Sequence, residues 1–470
     1  MQALDQVTPA QQTRMLALST IAFTVCFAAW TIFSIIGVQI KKDLGLNDTE
    51  FGLLVGTPIL TGSLIRLVLG IWADQFGGRR VFTLVMVAAA VATWLLTYAH
   101  TYEQFLLAAL GVGIAGGSFA VGIAYVSKWY PKDKQGTALG IFGMGNVGSA
   151  VTKLLAPFVM VAFGWTMVAK VWALGLLVMA ALFWFMTEDD PDLAERRRTG
   201  RKAEGFLAQL EPLKKLQVWR FSLYYFFVFG GFVALALWLP RYYVGVYGLD
   251  IKTAGMLGAL YSIPGSIFRA YGGHLSDKFG ARKIMYLTFF GAAVTTFILS
   301  YPATDYVVHG INGPISFTLA LGFVPFTILT FILGFFMSLG KAAVYKHIPV
   351  YYPDRVGSVG GVVGLVGGLG GFVLPIAFGA LNDLIGVWTS CFMLLFLLVT
   401  TALIWMHFSI LAMERRAARE RIATLPQLPE MAEIHTPAHA GTLSEATPPA
   451  RDPTAAEAER RYLEGGALPA

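Results

Sequence analysis

Five basic side chains lie inside apolar stretches of this 470-residue chain that are long enough to cross a bilayer. A charge at the centre of a bilayer costs at least about 2.5–3.5 kcal/mol and is normally balanced by a partner. None of the 28 acidic residues lies in the middle of such a stretch. The pattern indicates that the partner is a mobile anion, bound among Arg66, Lys153, Lys170, Arg269 and Lys341.

The two arginines occupy matching positions. Arg66 and Arg269 are 203 residues apart, and each precedes an aspartate, Asp74 or Asp277, by eight residues. At a rise of about 1.5 Å per residue, this spacing puts each guanidinium about 12 Å from the helix end, nearly halfway across the bilayer. Arginine keeps its proton and presents a planar fork of donors, which suits a flat oxyanion. We therefore predict that Arg66 and Arg269 bind the anion.

Two of the lysines are candidate proton carriers. Lys341 and Lys153 lie in predicted spans that offer no carboxylate to hold a proton. Burial disfavours the charged form of a lysine, so either side chain can give up a proton during a transport cycle. A structural or purely electrostatic role remains the alternative for both, and Lys170 lies near a span end, where its ammonium group can reach the interface.

The aspartates that follow the arginines belong to a repeated motif. Gly70-Ile-Trp-Ala-Asp74-Gln-Phe-Gly77-Gly-Arg79 reappears as Gly273-His-Leu-Ser-Asp277-Lys-Phe-Gly280-Ala-Arg282 after the same interval of 203 residues. Two copies in register indicate a duplicated chain, as in transporters built from two parallel halves. We predict that Asp74, Arg79, Asp277 and Arg282 form loop gates, although turn and orientation signals alone also explain such residues.

Two apolar stretches carry glycines at three- and four-residue spacing. Such spacing leaves a bare helix face on which a neighbouring helix can approach closely and slide, and close packing without movement is the alternative. Asn146 lies within the first stripe and offers an amide to an anion. The gating glycines that we predict are Gly140, Gly143, Gly145, Gly148, Gly360, Gly361, Gly364, Gly367 and Gly368.

These residues must be positioned by an all-α integral membrane fold. Hydrophobic residues make up 56% of the chain and charged residues 13%, which is about half the charged share of soluble domains. We predict twelve transmembrane helices in two six-helix halves, residues 1–186 and 221–411. A cytoplasmic linker, residues 187–220, joins them. Residues 412–470 form a cytoplasmic tail that is disordered apart from a short helix continuing the last span. The twelve spans are predicted near 16–38, 51–72, 81–100, 105–127, 136–160, 165–186, 221–243, 251–271, 284–301, 318–345, 356–380 and 387–411.

Basic residues in the predicted loops set the orientation. With the N-terminus inside, the cytoplasmic loops hold 18 lysines and arginines and the opposite loops hold 4. This bias places both termini in the cytoplasm. The basic residues do not form a soluble face for nucleic acid, and Cys26 and Cys391 lie in apolar runs that indicate neither a metal site nor a disulfide. We expect no cofactor and no metal.

The arginine pair, the Gly140–Gly148 stripe with Asn146 and the glycines of the eleventh span resemble the nitrate/nitrite porters of the major facilitator superfamily over residues 15–411. The resemblance implies nitrate held between Arg66 and Arg269, aromatic packing above and below it, and a hydrogen bond from a tyrosine of the seventh span. The matching aromatic positions are Phe229, the Phe119 region and Tyr225, with Tyr224 as a rival. The resemblance also implies a monomer in the bacterial inner membrane that transports nitrate and nitrite.

The coupling mechanism is open between two forms. This chain departs from the exchanger pattern in Lys341, Lys153, the lack of an asparagine in the eleventh span to mirror Asn146, and an insertion at residues 301–314. In these features it resembles the branch of the family that couples nitrate uptake to protons, and this resemblance favours nitrate:proton symport over nitrate/nitrite exchange. A carrier of another small oxyanion or of an organic phosphate is a further alternative, although the aromatic and glycine-rich surroundings predict a small pocket. A membrane sensor is the alternative outside transport. No nucleotide-binding loop or nucleophile motif indicates an enzyme.

Overall fold

The structure, a computed structural model, describes residues 7–189, 191, 214–351 and 356–424. Its described part is almost entirely helical and contains the twelve predicted spans, so the predicted fold class is confirmed. Most of the predicted linker and the tail beyond residue 424 lie outside the described residues, and the predicted domain boundaries stay predictions. Residues 407–470 form a separate unit, whose described part is the end of the last helix.

The first six spans contain several breaks in regular helix. The first span is interrupted at Thr31 and Ile32, and short 3₁₀ segments interrupt the fourth and fifth spans at glycine-rich sequences. In chain order, spans one to six comprise Pro9–Trp30 with Phe33–Leu44, Asp48–Phe76, Gly78–Leu95, Tyr102–Val112 with Gly113–Gly117 and Ser118–Ser127, Lys132–Gly143 with Met144–Val147 and Gly148–Phe163, and Trp165–Met186.

The second six spans include one π-helical segment, Phe226–Gly231, in the middle of the seventh span. Such segments are rare and are frequently found at functional sites. Spans seven to twelve comprise Leu216–Tyr225 with Phe226–Gly231 and Phe232–Tyr247, Ile251–Phe279, Ala281–Leu299, Phe323–Tyr351, Val356–Ile385, and Ser390–Thr424.

A β-hairpin corrects the prediction that the tenth span begins near residue 318. Strand β1 (Thr304–Gly310) pairs antiparallel with strand β2 (Gly313–Leu319), and the helix begins only at Phe323. Gly313, which directly follows the turn residues Ile311 and Asn312, adopts a φ of 122°, which residues other than glycine rarely adopt. The apolar character of residues 315–319 therefore belongs to a strand and not to the start of a span.

The internal repeat is visible in the backbone. The second and eighth spans are both 29 residues long, and their first and last residues are each 203 positions apart. Both helices end at a motif glycine with positive φ, 93° at Gly77 and 86° at Gly280. This identical termination places Arg66 and Arg269 at the same height in their helices.

Ten of the described spans are long and apolar enough to cross a membrane by length and composition. The two others are the helices that carry Arg66 and Arg269. Large apolar side chains cover the outer surface, with Phe185, Leu107 and Phe163 all more than two-thirds exposed. Such a surface is stable only in contact with lipid, which supports a multi-pass membrane protein.

The two halves pack through glycines. The second span contacts the eleventh, and the eighth contacts the fifth. A Cβ atom added to Gly56 would lie 2.9 Å from the carbonyl oxygen of Phe372, and one added to Gly255 would lie 2.5 Å from that of Lys153. Helix backbones therefore approach each other directly at both contacts.

A polar network also joins the halves, at the end opposite the motif loops. Asp48, at the start of the second span, forms ion pairs with Lys41 at 3.0 Å and Arg241 at 3.3 Å, and it accepts a hydrogen bond from the Asn382 amide. Asp383 accepts hydrogen bonds from the backbone N–H groups of Asp48 at 3.1 Å and Thr49 at 2.7 Å, capping the same helix. The network thus connects the first and second spans to the seventh and eleventh.

Replacing Asp48 with alanine leaves Lys41 and Arg241 without their carboxylate partner at a largely buried position. We expect this substitution to destabilise the protein by about 1–3 kcal/mol, the cost of a buried group left unsatisfied. Thermal unfolding of the purified protein in detergent measures the change. Asp43→Ala, at an exposed position that accepts a hydrogen bond from Gln39, is the matched control. Equal melting temperatures of the two variants would contradict a tie between the halves.

Candidate functional site

The two predicted arginines lie together in the interior. Arg66 and Arg269 are each 7% exposed, and both guanidinium groups lie over the ring of Phe119, at 5.4 and 5.7 Å from its centroid. One aromatic side chain of the fourth span is therefore close to two guanidinium groups, one from each half.

The hydrogen bonds of the two arginines differ. Arg66 donates from Nε to the carbonyl oxygen of Gly116 at 3.3 Å and from Nη1 to that of Gly364 at 3.2 Å. Gly364 belongs to the eleventh span, so this second bond crosses between the halves. Arg269 has a buried Nη1 with no hydrogen-bond partner among the described residues. One guanidinium is thus held by backbone, and the other keeps donors available for a ligand.

Aromatic rings enclose the arginine pair. The guanidinium of Arg66 lies 5.4 Å from the centroid of Trp30 and 5.5 Å from that of Phe229. Phe229 stacks on Tyr225 at 5.0 Å with an interplanar angle of 5°, and both rings come from the π-helical region of the seventh span. The geometry distinguishes Tyr225 from its rival, because Tyr224 packs instead against Phe289 of the ninth span.

Small residues and a proline bring Trp30 to this position. The indole Nε1–H of Trp30 donates to the carbonyl oxygen of Pro58 at 2.7 Å, and Pro58 lies within the second span. A Cβ atom added to Gly62 would lie 2.6 Å from the indole nitrogen, and Gly116 also approaches the same ring. The interruption of the first span next to Trp30 lets the ring lie against this surface.

The predicted lysines are buried between spans and have neutral partners. Lys153 is fully buried and donates to the carbonyl oxygen of Ser149 and the hydroxyl of Ser262, both at 3.1 Å. Lys341 donates to the carbonyl oxygen of Gly265 and lies 3.4 Å from the centroid of Phe232. Among the described residues, no carboxylate forms a salt bridge with Lys153, Lys341, Arg66 or Arg269. Each of these four basic side chains is therefore buried without a described anionic partner.

The glycine stripes lie against the site. A Cβ atom added to Gly143 would be 3.2 Å from three atoms of the Arg269 guanidinium, and one added to Gly368 would be 3.2 Å from Nη1 of Arg66. Gly367 contacts Tyr225 in the same way, whereas Gly145 and Gly148 pack on the first span and Gly140 has open space. Asn146, between these glycines, is fully buried, and neither atom of its amide has a hydrogen-bond partner in the described part.

Tyr345 is a site residue that sequence reasoning missed. It packs edge-on against Tyr225 at 5.0 Å, lies 5.8 Å from the Arg269 guanidinium, and donates from its hydroxyl to the carbonyl oxygen of Gly360 at 3.2 Å. A tyrosine in an apolar helix carries no signal of its own. Its position four residues after Lys341, on the same helix face, was the available clue.

The predicted loop gates have partners of different kinds. Asp277 forms a salt bridge with Lys346 of the tenth span, and Arg79 donates to the carbonyl oxygen of Trp184 while lying 4.4 Å from its ring. The side chain of Asp74 lies outside the described residues, and Arg282 has an interaction of its own. Sequence reasoning did not identify the network around Asp48, although two of its members, Lys41 and Arg241, are among the basic residues counted in the predicted loops.

Comparisons with known proteins agree with this architecture. The family model "Major Facilitator Superfamily" matches residues 18–326. The chain is similar to "Probable nitrate/nitrite antiporter NarK1" of Thermus thermophilus, with 45% identity over 86% of this chain and 93% of the relative. It is also similar to "Probable nitrate transporter NarT" of Staphylococcus haemolyticus, with 31% identity over 83% of this chain and 95% of that one.

A third relative and a solved structure extend the comparison. "Nitrite extrusion protein" of Bacillus subtilis is 28% identical over 84% of this chain and 94% of its own length. A bacterial homolog of the human lysosomal transporter Spinster, solved in an inward-facing and occupied conformation, shares the fold with a TM-score of 0.64. That likeness covers 85% of this chain and 97% of the other at 16% identity. The relatives are named as transporters and not as enzymes. This chain belongs to the major facilitator superfamily, in the group that includes these three relatives.

Proposed function

We propose that the protein carries nitrate, and also nitrite, across the membrane by alternating access, with the anion held between Arg66 and Arg269. The observation that carries this proposal is the pair of buried guanidinium groups over the Phe119 ring without a described carboxylate. The names of the three relatives support nitrate and nitrite as substrates.

A flat monoanion suits these surroundings. Nitrate is planar, so guanidinium forks can bind its oxygen atoms in the plane, and aromatic rings can cover its faces. Phe119 and Phe229 are the rings adjacent to Arg66, and the Tyr225 hydroxyl and Asn146 amide are the further donors that we assign to the anion.

The Arg66 hydrogen bond to Gly364 connects binding to movement. An anion that takes the Nη1 donor of Arg66 competes with the Gly364 carbonyl group of the opposite half. Binding at the site therefore weakens one contact between the second and eleventh spans. A ligand shifts the equilibrium between two conformations only if it binds one of them more tightly. Competition for the Nη1 donor makes the anion bind more tightly when the Arg66–Gly364 hydrogen bond is broken, and so provides this difference in affinity.

Nitrate:proton symport is the coupling that we favour, with Lys341 and Lys153 as proton carriers. Each lysine is bonded to neutral oxygen atoms in the described part, so no described carboxylate holds it charged. Nitrate and a proton then bind cooperatively, because the anion stabilises a neighbouring ammonium group. Nitrate/nitrite exchange is the second candidate, and the name of the Thermus relative, an antiporter, favours it.

Arg66→Lys and Arg269→Lys each keep the positive charge and remove the planar fork. We expect labelled nitrate uptake into proteoliposomes to fall by at least about tenfold, because a charge-assisted hydrogen bond contributes about 1.5–3 kcal/mol. Arg416→Lys, at an exposed position of the last helix, is the control for an arginine-to-lysine substitution away from the site. Near-normal uptake by either site variant, at equal reconstitution, would rule out the proposed site.

Gly143→Leu and Gly364→Leu add bulk beside the Arg269 guanidinium and the Tyr345 hydroxyl, respectively. We expect both to block transport while nitrate binding is partly retained, because the added side chain obstructs helix movement. Gly175→Leu, where an added Cβ atom meets nothing within 4 Å, is the matched control. Nitrate-induced thermal stabilisation measures binding separately from uptake. Loss of this stabilisation in both site variants would show that the glycines line the pocket.

Lys341→Gln and Lys153→Gln test the coupling. We expect wild-type uptake to be driven by an inward proton gradient, and each variant to lose this response while nitrate counterflow continues. Lys170→Gln is the control, because Lys170 lies 5.9 Å from the ring of Trp94, outside the arginine site. Uptake that ignores the pH gradient and requires internal nitrite would identify an exchanger, with the lysines in a structural or electrostatic role.

A further inference from the structure

The hairpin between the ninth and tenth spans has two chemically different faces. Directly opposed residues of an antiparallel pair share a face, and the faces alternate along each strand. One face carries the pairs Tyr306–Phe317, Val308–Ile315 and Thr304–Leu319, and the other carries Asp305–Thr318, Val307–Ser316 and His309–Pro314. The Tyr306 and Phe317 rings stack at 5.5 Å, and the Thr318 hydroxyl donates to Asp305 at 2.6 Å.

The apolar face is open in the isolated chain. Val308 is 48% exposed, Ile315 59% and Phe317 49%, while Ile311 at the tip is fully exposed. A lone two-stranded hairpin is at best marginally stable in water, so a hairpin of this kind needs a surface that covers it.

The hairpin is attached close to the membrane boundary. The ninth span ends at Leu299 and the tenth begins at Phe323, which leaves residues 300–303 and 320–322 as connectors. Four extended residues span at most about 14 Å, so β1 begins, and β2 ends, close to the end of a transmembrane helix. The adjoining Tyr301, Phe323 and Val324 are exposed apolar side chains of the lipid-facing surface, and this surface leads to the hairpin.

We propose that the apolar face of this hairpin, with Ile311 at its tip, rests on the lipid surface of the leaflet opposite the cytoplasm. That face carries no charged side chain, and its tyrosine and phenylalanine are of the type enriched at membrane interfaces. Asp305 and His309 lie on the other face, where they stay in water. The bilayer is also the surface already in contact with the two spans that flank the hairpin. This inference depends on the membrane location and not on nitrate.

Neighbouring residues on opposite faces supply the test. Val307→Cys and Val308→Cys differ by one position and have similar exposure, and the only native cysteines, Cys26 and Cys391, are buried. Each full-length variant is spin-labelled and reconstituted into phosphatidylethanolamine/phosphatidylglycerol vesicles. Collision of the label with oxygen, which concentrates in lipid, is then compared with collision with a water-soluble nickel chelate. We expect the label at position 308 to collide preferentially with oxygen and the label at 307 with nickel.

A second substitution separates insertion from a local effect of the label. Ile315→Asp, introduced into the Val308→Cys protein opposite the label, is expected to shift the label towards the nickel signal, because a charge on the apolar face opposes burial in lipid. Equal nickel access at positions 307 and 308 would overturn the proposal. Spin–spin broadening at 308 that grows with protein density would also overturn it, since a second copy would then cover the face.

Discussion

Positive charge buried without a described carboxylate is the constraint on which the rest of the structure depends. Arg66 and Arg269 lie where an isolated charge is costly, and their described neighbours are aromatic rings and backbone carbonyl groups. Partial charges of this kind reduce the cost of burial without neutralising the arginines. Under the function that we propose, an anion between the arginines supplies the missing charge, and its affinity originates in an interaction that the protein itself leaves incomplete.

Glycines in the surrounding helices make this arrangement possible because they have no side chains. Glycines at positions 62, 116, 143 and 368 allow rings and guanidinium groups to lie against helix backbones that any larger residue would push away. The same bare surfaces join the halves, because the second span meets the eleventh and the fifth meets the eighth. The residues that we propose to bind the anion are therefore neighbours of the glycines that we propose to slide, and Arg66 is bonded to Gly364 across the halves.

The ends of the helices carry ionic contacts of another kind. Around Asp48, carboxylates pair with lysine, arginine and backbone N–H groups of both halves, so that side of the protein is tied across its centre. At the opposite end, the described Asp277–Lys346 pair lies within the second half alone. Under the alternating access that we propose, the Asp48 network has to open when the halves separate on that side.

Much of the fold and the centre of the site followed from the sequence by itself. The length of the apolar runs determined the spans, and the interval of 203 residues predicted matching arginines, which the structure places at the same height in helices of equal length. These features are periodic or charged, so they can be recognised in the amino-acid sequence alone. Tyr345, the Trp30–Pro58 hydrogen bond and the partners of Asp48 were decided only by tertiary structure. Each of these contacts joins residues from different helices, and the residue types are ordinary in a membrane chain. The rotation of one helix against another brings the residues together. Packing sets this rotation, which leaves no periodic signal in the sequence.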